Sequence, residues 1–323
     1  MDRKTFATLF AVLAAVFYAI NIPFSKILLE DVGPTMMSSF LYLGAGLSMG
    51  AVFLVQRRSL DRDDLLGRSD LLHTVGMIVL DIAAPILLMH GITMTSSGNV
   101  SLLNNLEIVA TALIALALFG EKVGGRLWIA IILITASGMI LSVDHGDGFS
   151  LDGGSLCVIG ACLCWGLENN CTRAISGRSS SQIVMVKGLC SGTGCMTIAM
   201  LSGETLPASE LAVAALLLGA VSYGLSINLY ILAQRHIGAA RTSAYYSLAP
   251  FIGVAFAFVI LGERPDLRFF VSLALMVVGT AMVTIDTLGA EEHDHVHRHG
   301  EMVHSHPHGP LHHLFPIHHH DHR

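Results

Sequence analysis

Four ionisable side chains interrupt long apolar stretches of the sequence: Asp81, Glu107, Glu168 and Lys187. A charge at the centre of a lipid bilayer costs about 2.5–3.5 kcal/mol on insertion scales. Such residues either line a polar cavity or find a partner. Glu168 stands shortly before Arg173, at the end of one apolar block, and Lys187 shortly after Ser181, at the start of the next. At about 1.5 Å per helical residue both lie roughly 8–9 Å deep, on consecutive antiparallel helices, where an ion pair is geometrically easy. Two readings fit: a gate or polar wall of a substrate path, and a structural pair tying two spans together. Asn169 and Asn170 follow at once and complete either network. Asp81 and Glu107 fall near the middle of their blocks. Burial favours the neutral form of a carboxyl group, and a carboxyl that takes up and releases a proton is what proton-coupled transport needs. The alternative for Asp81 is a protonated carboxyl bonded to a neighbouring helix. For Glu107 it is a structural acid that satisfies freed backbone groups.

The elements that position these residues follow from composition. Of 323 residues, 53% are apolar and only 13% charged, against roughly a quarter charged in soluble proteins. A soluble enzyme is excluded, and a net charge of −6 without a basic face excludes a nucleic-acid binder. A membrane helix needs about 20 mostly apolar residues. That ruler predicts ten spans, over 5–29, 34–56, 70–90, 98–119, 124–143, 151–173, 181–202, 211–234, 240–261 and 267–287. The first block is too long for a secretory signal and has no clear cleavage site, so it is expected to be retained. With the N-terminus inside, basic residues such as Arg57, Arg58, Arg62, Arg68, Lys122, Arg126, Arg173 and Arg178 fall on the cytoplasmic side, and only Lys26, Arg264 and Arg268 outside. Both termini are therefore expected in the cytoplasm, in a bacterial or archaeal plasma membrane.

Five spans plus five suggest a duplication. Leu106-Glu107-Ile108 through Phe119-Gly120-Glu121-Lys122 aligns with Leu248-Ala249-Pro250 through Leu261-Gly262-Glu263-Arg264 at a constant offset of 142. Tyr18-Ala19-Ile20-Asn21 aligns with Trp165-Gly166-Leu167-Glu168 at an offset of 147. Because five is odd, the copies run in opposite directions, and such inverted repeats place a substrate site near the midplane between them. Expected boundaries are 1–144 and 145–288 for the repeats and 289–323 for a tail.

These motifs resemble the drug/metabolite transporter superfamily, specifically its EamA type. The resemblance rests on Trp165-Gly166, the split Leu-Glu-Pro signal and the paired Gly-Glu ends, and covers about residues 5–287. Ile108 stands where the first copy would have Pro, and Ala249 where the second would have Glu. The second copy is thus expected to kink at Pro250, while the first keeps the acid. The resemblance implies a secondary transporter, with export as the direction, and names no substrate.

At the depth of the four charges the sequence also places Asn21, His90, Asn104, Asn105, Tyr223, Asn228, Tyr245 and Tyr246. By the repeat, Asp81 matches Tyr223 and Asn104 matches Tyr246. The candidate substrate path comprises Asn21, Asp81, Asn104, Glu107, Trp165, Glu168, Asn169, Asn170, Lys187, Tyr223, Asn228, Tyr245 and Tyr246. A cavity with one charged and one aromatic wall suits an amphipathic or zwitterionic metabolite, although any single Tyr also serves as an interface anchor. Gly46-x-x-x-Gly50 and Gly188-x-x-x-Gly192 are spaced for close helix approach.

All six cysteines lie in the sixth and seventh blocks and read as small apolar filler. The tail after residue 288 is poor in apolar residues and is expected to be disordered. His293, His295, His297, His299, His304, His306 and His308 could wrap a borderline metal such as Zn or Ni. No cofactor is required. The expected partners are a small-molecule substrate, the lipid bilayer and a second copy in a homodimer, with no nucleic acid. Three functions compete: a transporter of a small organic metabolite by alternating access, a divalent metal transporter with the tail as ligand store, and a membrane enzyme. The third lacks any H-E-x-x-H or Ser/His/Asp set, and no phosphate-binding G-x-x-x-x-G-K-[ST] motif is present.

Overall fold

The computed structural model describes residues 3–119, 124–142, 152–237, 242, 245–292, 294–299 and 302–307. Where it is described, the chain from Arg3 to Glu292 is built of helices. In hydrocarbon every backbone N–H and C=O must be satisfied internally, and a helix does this within one segment. The helices are α1 (Arg3–Ala19), α2 (Asn21–Leu28), α3 (Pro34–Gln56), α4 (Leu71–Met94), α5 (Ser97–Leu103), α6 (Leu106–Phe119), α7 (Gly125–Ser142), α8 (Gly153–Ala174), α9 (Ser180–Leu201), α10 (Ser209–Gly219), α11 (Ser226–Ile237), α12 (Ala249–Leu261) and α13 (Leu267–Glu292).

Among the described residues, eight helical stretches are long and apolar enough to cross a membrane: Thr5–Leu28, Pro34–Ser59, Arg68–Met94, Ser97–Ala117, Gly125–Ser142, Ser180–Leu201, Ser209–Ala233 and Leu267–Ile285. Two of the ten expected spans fall short for physical reasons. Helix α8 has 22 residues, but Glu168, Asn169, Asn170 and Arg173 crowd its last turns and lower its hydropathy. Helix α12 has only 13 residues, and the stretch 238–241 and 243–244 ahead of it lies outside the described residues.

Among the described residues, four spans depart from regular helix, each where a side chain of interest sits. Between α1 and α2 the chain turns at Ile20, and Pro23 has no N–H to offer the Ala19 carbonyl. Pro85 inside α4 likewise leaves the Asp81 carbonyl without its helical donor. A π turn over Ala220–Leu225 joins α10 to α11 and contains Tyr223, the repeat partner of Asp81. Between α5 and α6 the helix breaks at Asn104-Asn105, where Asn105 N–H turns to the Leu102 carbonyl at 3.1 Å and its side-chain amide donates to the same oxygen at 3.2 Å. The expectation that only the second copy breaks, at Pro250, is therefore corrected. An Asn side chain competing for backbone carbonyls interrupts the first copy without proline.

Helix α3 packs along α9, α4 along α8, α7 along α13, and α1 against α11 and α12. The α3–α9 contact is closest at two glycines: a Cβ on Gly188 would stand 2.5 Å from the Gly46 Cα. Only glycine allows this backbone approach. Apolar side chains such as Leu47, Leu54, Val55 and Val259 face outward, as a lipid-facing surface requires.

The tail differs from the irregular chain expected. Helix α13 continues to Glu292, and Asp294–His299 pairs antiparallel with Met302–Pro307. The register sets His295 opposite His306 and His297 opposite His304. Val296 and Val303 favour extended backbone, a preference that a purely compositional reading of the tail overlooks. His293, His308 and residues 309–323 lie outside the described residues, as do Gly120, Glu121 and Lys122 of the first Gly-Glu end.

Candidate functional site

The interruptions converge on one cavity of about 300 Å³, lined by Tyr18, Tyr42, Asn104, Asn105, Glu107, Trp165, Glu168, Asn169, Lys187, Tyr223, Tyr246 and Pro250 with smaller residues between them. Irregular backbone inside a membrane protein is tolerated where it lines a cavity. Here the α5–α6 break delivers Asn104 and Asn105, the π turn delivers Tyr223, and the start of α12 delivers Pro250.

The charges are organised around Lys187. Its ammonium lies 3.0 Å from Asp81 Oδ2 and 3.1 Å from Glu168 Oε1. Asp81 is fully buried and its other oxygen accepts a hydrogen bond from the Tyr42 hydroxyl at 3.0 Å. Trp165 Nε1 in turn donates to that hydroxyl at 3.3 Å. Thr172 donates to Glu168 from one turn away. Lys187 thus holds two carboxylates. Glu107 stands apart: its Oε1 accepts from the Asn169 amide at 2.8 Å, and among the described residues no cation pairs with it.

The opposite wall is aromatic. The Tyr18 ring centre lies 5.5 Å from that of Tyr246 and 5.9 Å from that of Tyr223, and Tyr223 lies 5.6 Å from Tyr42. The hydroxyls are held: Asn104 donates to Tyr18 at 3.3 Å, Asn21 donates to Tyr223 at 3.1 Å, and Tyr246 meets Ser226 at 3.3 Å.

Of the residues singled out in the sequence, Asn104, Glu107, Trp165, Glu168, Asn169, Lys187, Tyr223 and Tyr246 line this cavity. Asn21 and Asp81 stand one contact behind its wall. Asn170 turns to the backbone of its own helix, donating to the Gly166 carbonyl at 2.8 Å. Asn228 and Tyr245 lie outside the lining. Tyr18 and Tyr42 are lining residues that sequence reasoning left off the path. Tyr18 carried a usable signal, because it occupies the repeat position of Trp165. Among the described residues no group of three His, Cys, Asp or Glu side chains gathers as a metal site.

One end of the bundle is drawn together by carboxylates on helix N-termini. Glu204 accepts from the Thr35 and Met36 amides at 3.1 and 2.7 Å. Glu263 accepts from the Ser97 and Gly98 amides at 2.7 and 2.8 Å. Gly262, left-handed at φ 65°, ends α12 and turns the chain toward that contact. Lys26 donates to the Ile92 and Thr95 carbonyls at the same end. At the other end Arg178 pairs with Asp70 at 2.9 Å, and Gln182 accepts from the Leu66 amide at 2.9 Å.

A family model for EamA-like transporters matches the chain twice, over residues 5–143 and 152–285. The chain belongs to the EamA-like transporter family. It is a multi-pass membrane protein of the drug/metabolite transporter superfamily. This transporter is 24% identical over 299 residues to an uncharacterized transporter of Methanothermobacter thermautotrophicus, a match covering 86% of this chain and 85% of that protein. A solved crystal structure shares its fold with a TM-score of 0.63 at 16% identity, covering 88% of this chain and 98% of the other. The cavity of this EamA-like transporter draws residues from both matched segments, with Tyr18, Asn104 and Glu107 from the first and Trp165, Lys187 and Tyr246 from the second.

Proposed function

We propose that this transporter is a secondary carrier that moves a small organic metabolite through the central cavity by alternating access. The observation that carries the reading is a cavity with ionisable and aromatic walls, built from both matched segments at the level of the helix breaks. Ten spans are counted when α8 and the helix containing α12 join the eight long apolar stretches. The packing supports two inverted five-helix copies, over 1–144 and 145–288. Helix α3 packs on its repeat counterpart α9, and α7 on its counterpart α13. Rocking of one copy against the other exposes such a midplane site to each side in turn. The basic-residue asymmetry supports a plasma-membrane protein with both termini in the cytoplasm. The resemblance favours export.

Proton coupling through Glu107 is part of this reading. Asp81 is held by Lys187 and Tyr42, whereas Glu107 faces the cavity with an amide as its described partner. Purified protein in liposomes, assayed against a panel of organic solutes with and without an imposed proton gradient, tests both parts. Gradient-driven flux that becomes independent of pH in Glu107→Gln supports coupling there. Flux of no solute in a folded, oriented preparation overturns the carrier reading.

For the tail we propose binding of Zn or Ni, supported by the register that sets His295 opposite His306 and His297 opposite His304.

A further inference from the structure

We propose that the cavity selects a monovalent organic cation, an ammonium group on a compact apolar body, over zwitterions and anions. The inference rests on the reading of the cavity as the substrate site and adds the charge of what it takes.

The reasoning begins with which charges are free. Lys187 could receive a substrate carboxylate, but its ammonium is already shared between Asp81 and Glu168 at 3.0 and 3.1 Å. An incoming anion would have to displace one of these and would face the other carboxylate. Glu107 is the complementary case. It lines the cavity, accepts from the Asn169 amide, and has no cationic partner among the described residues. Among the described residues the charged wall therefore has one anionic group without an ion-pair partner and no cationic one.

The aromatic wall has the same preference. Tyr18, Tyr42, Tyr223 and Tyr246 cluster with ring centres 5.5–5.9 Å apart. Aromatic faces carry negative potential and attract cations, and clustered rings are a recurring receptor for ammonium groups. The Tyr223 and Tyr18 oxygens accept from Asn21 and Asn104, the Tyr42 hydroxyl donates to Asp81, and Tyr246 meets Ser226, which fixes the rings around the cavity. A substrate carboxylate would stand against Glu107 with Lys187 already paired. An ammonium meets the carboxylate on one side and the rings on the other, and its apolar body fills the remainder of a cavity of about 300 Å³.

Trp165 lines the cavity and is one of two tryptophans. With Trp128→Phe as background, its fluorescence in the full-length protein in nanodiscs reports binding directly. The probes are phenethylamine and benzyltrimethylammonium as cations, 2-phenylethanol as the neutral analogue, phenylalanine as the zwitterion and 3-phenylpropionate as the anion. The expected result is saturable binding of both cations, at least about tenfold tighter than any of the other three. Glu107→Gln should weaken the cations about tenfold or more and leave 2-phenylethanol within about twofold. Glu107→Asp keeps the charge, controls for folding, and should retain most cation affinity. Tighter binding of phenylalanine or 3-phenylpropionate, or cation binding indifferent to Glu107→Gln, overturns the charge assignment and leaves the cavity reading standing. Absence of binding by all five probes overturns the charge assignment and counts against the cavity as the substrate site as well.

Discussion

Lys187 and Asp81 form an ion pair of 3.0 Å between α9 and α4, and the same ammonium reaches Glu168 on α8 at 3.1 Å. One cation therefore ties together three helices. Removing it leaves two carboxylates facing each other in a low-dielectric setting. Breaking a buried pair by deleting one partner costs about 3–5 kcal/mol. Lys187→Met should accordingly lower the unfolding temperature in detergent more than either Asp81→Asn or Glu168→Gln, each of which leaves the ammonium one partner.

The same triad sets the outcome of a charge swap. Exchanging Glu168 and Lys187 would satisfy a two-member pair, but here it sets a carboxylate at position 187 against Asp81. The double swap should be as inactive in transport as the single variants. Adding Asp81→Asn should restore part of the flux. Recovery by the double swap alone would show that Asp81 plays no part in the pairing.

Close helix approach at Gly46 and Gly188 predicts a steep size limit. Gly188→Ala would bring a Cβ to 2.5 Å from the Gly46 Cα, and overpacking of this kind costs about 1–3 kcal/mol. Gly50→Ala would meet only the Met185 side chain, at 3.4 Å, and should be tolerated. Thermal melts of the two variants side by side make the comparison.

Glu263 accepts two backbone amides at the start of α5. Glu263→Gln keeps one of the two bonds as a neutral one and sets its NH2 against the other amide N–H, a loss of at least about 1 kcal/mol, or roughly fivefold or more in the closed-to-open ratio of that end. In a cysteine-free background, Ser97→Cys should react several times faster with a membrane-impermeant maleimide when Glu263→Gln is present. An unchanged rate would mean that this contact does not hold the end closed.

Deleting residues 290–323 should abolish binding of Ni or Zn by the purified protein while leaving solute flux unchanged. Imidazole must be neutral to ligate metal, so binding by the full chain should fall away as the pH drops below about 6.5. Isothermal titration at two pH values, with both chains, measures this.

The spans were legible because a bilayer imposes a length and polarity on each, and those are local properties of sequence. The pairing of Lys187 with Glu168 was legible for a related reason: consecutive antiparallel helices share a depth scale. The second partner, Asp81, was not, because it comes from a span far away in sequence whose rotation about its axis no local pattern specifies. The break at Asn104-Asn105 escaped because proline is the usual mark of a kink, while an Asn amide bonding to Leu102 achieves one without it. Asn228 and Tyr245 were placed on the path by depth alone, and depth does not say which side of a helix faces the cavity. Tyr42 lies on the helix that packs along the one carrying Lys187, and only that packing turns its hydroxyl toward Asp81.

Glu204 and Glu263 both come from the second matched segment, and both grip helices of the first at the same end. Two copies of one fold thus contribute unequally to the grip at that end. If the carrier alternates between two faces, opening that end must break both clasps, so each glutamate raises the cost of opening it. The direction in which such a carrier pumps comes from its driving gradient. Part of the cost of opening that end is set by two glutamates that lie outside the cavity lining.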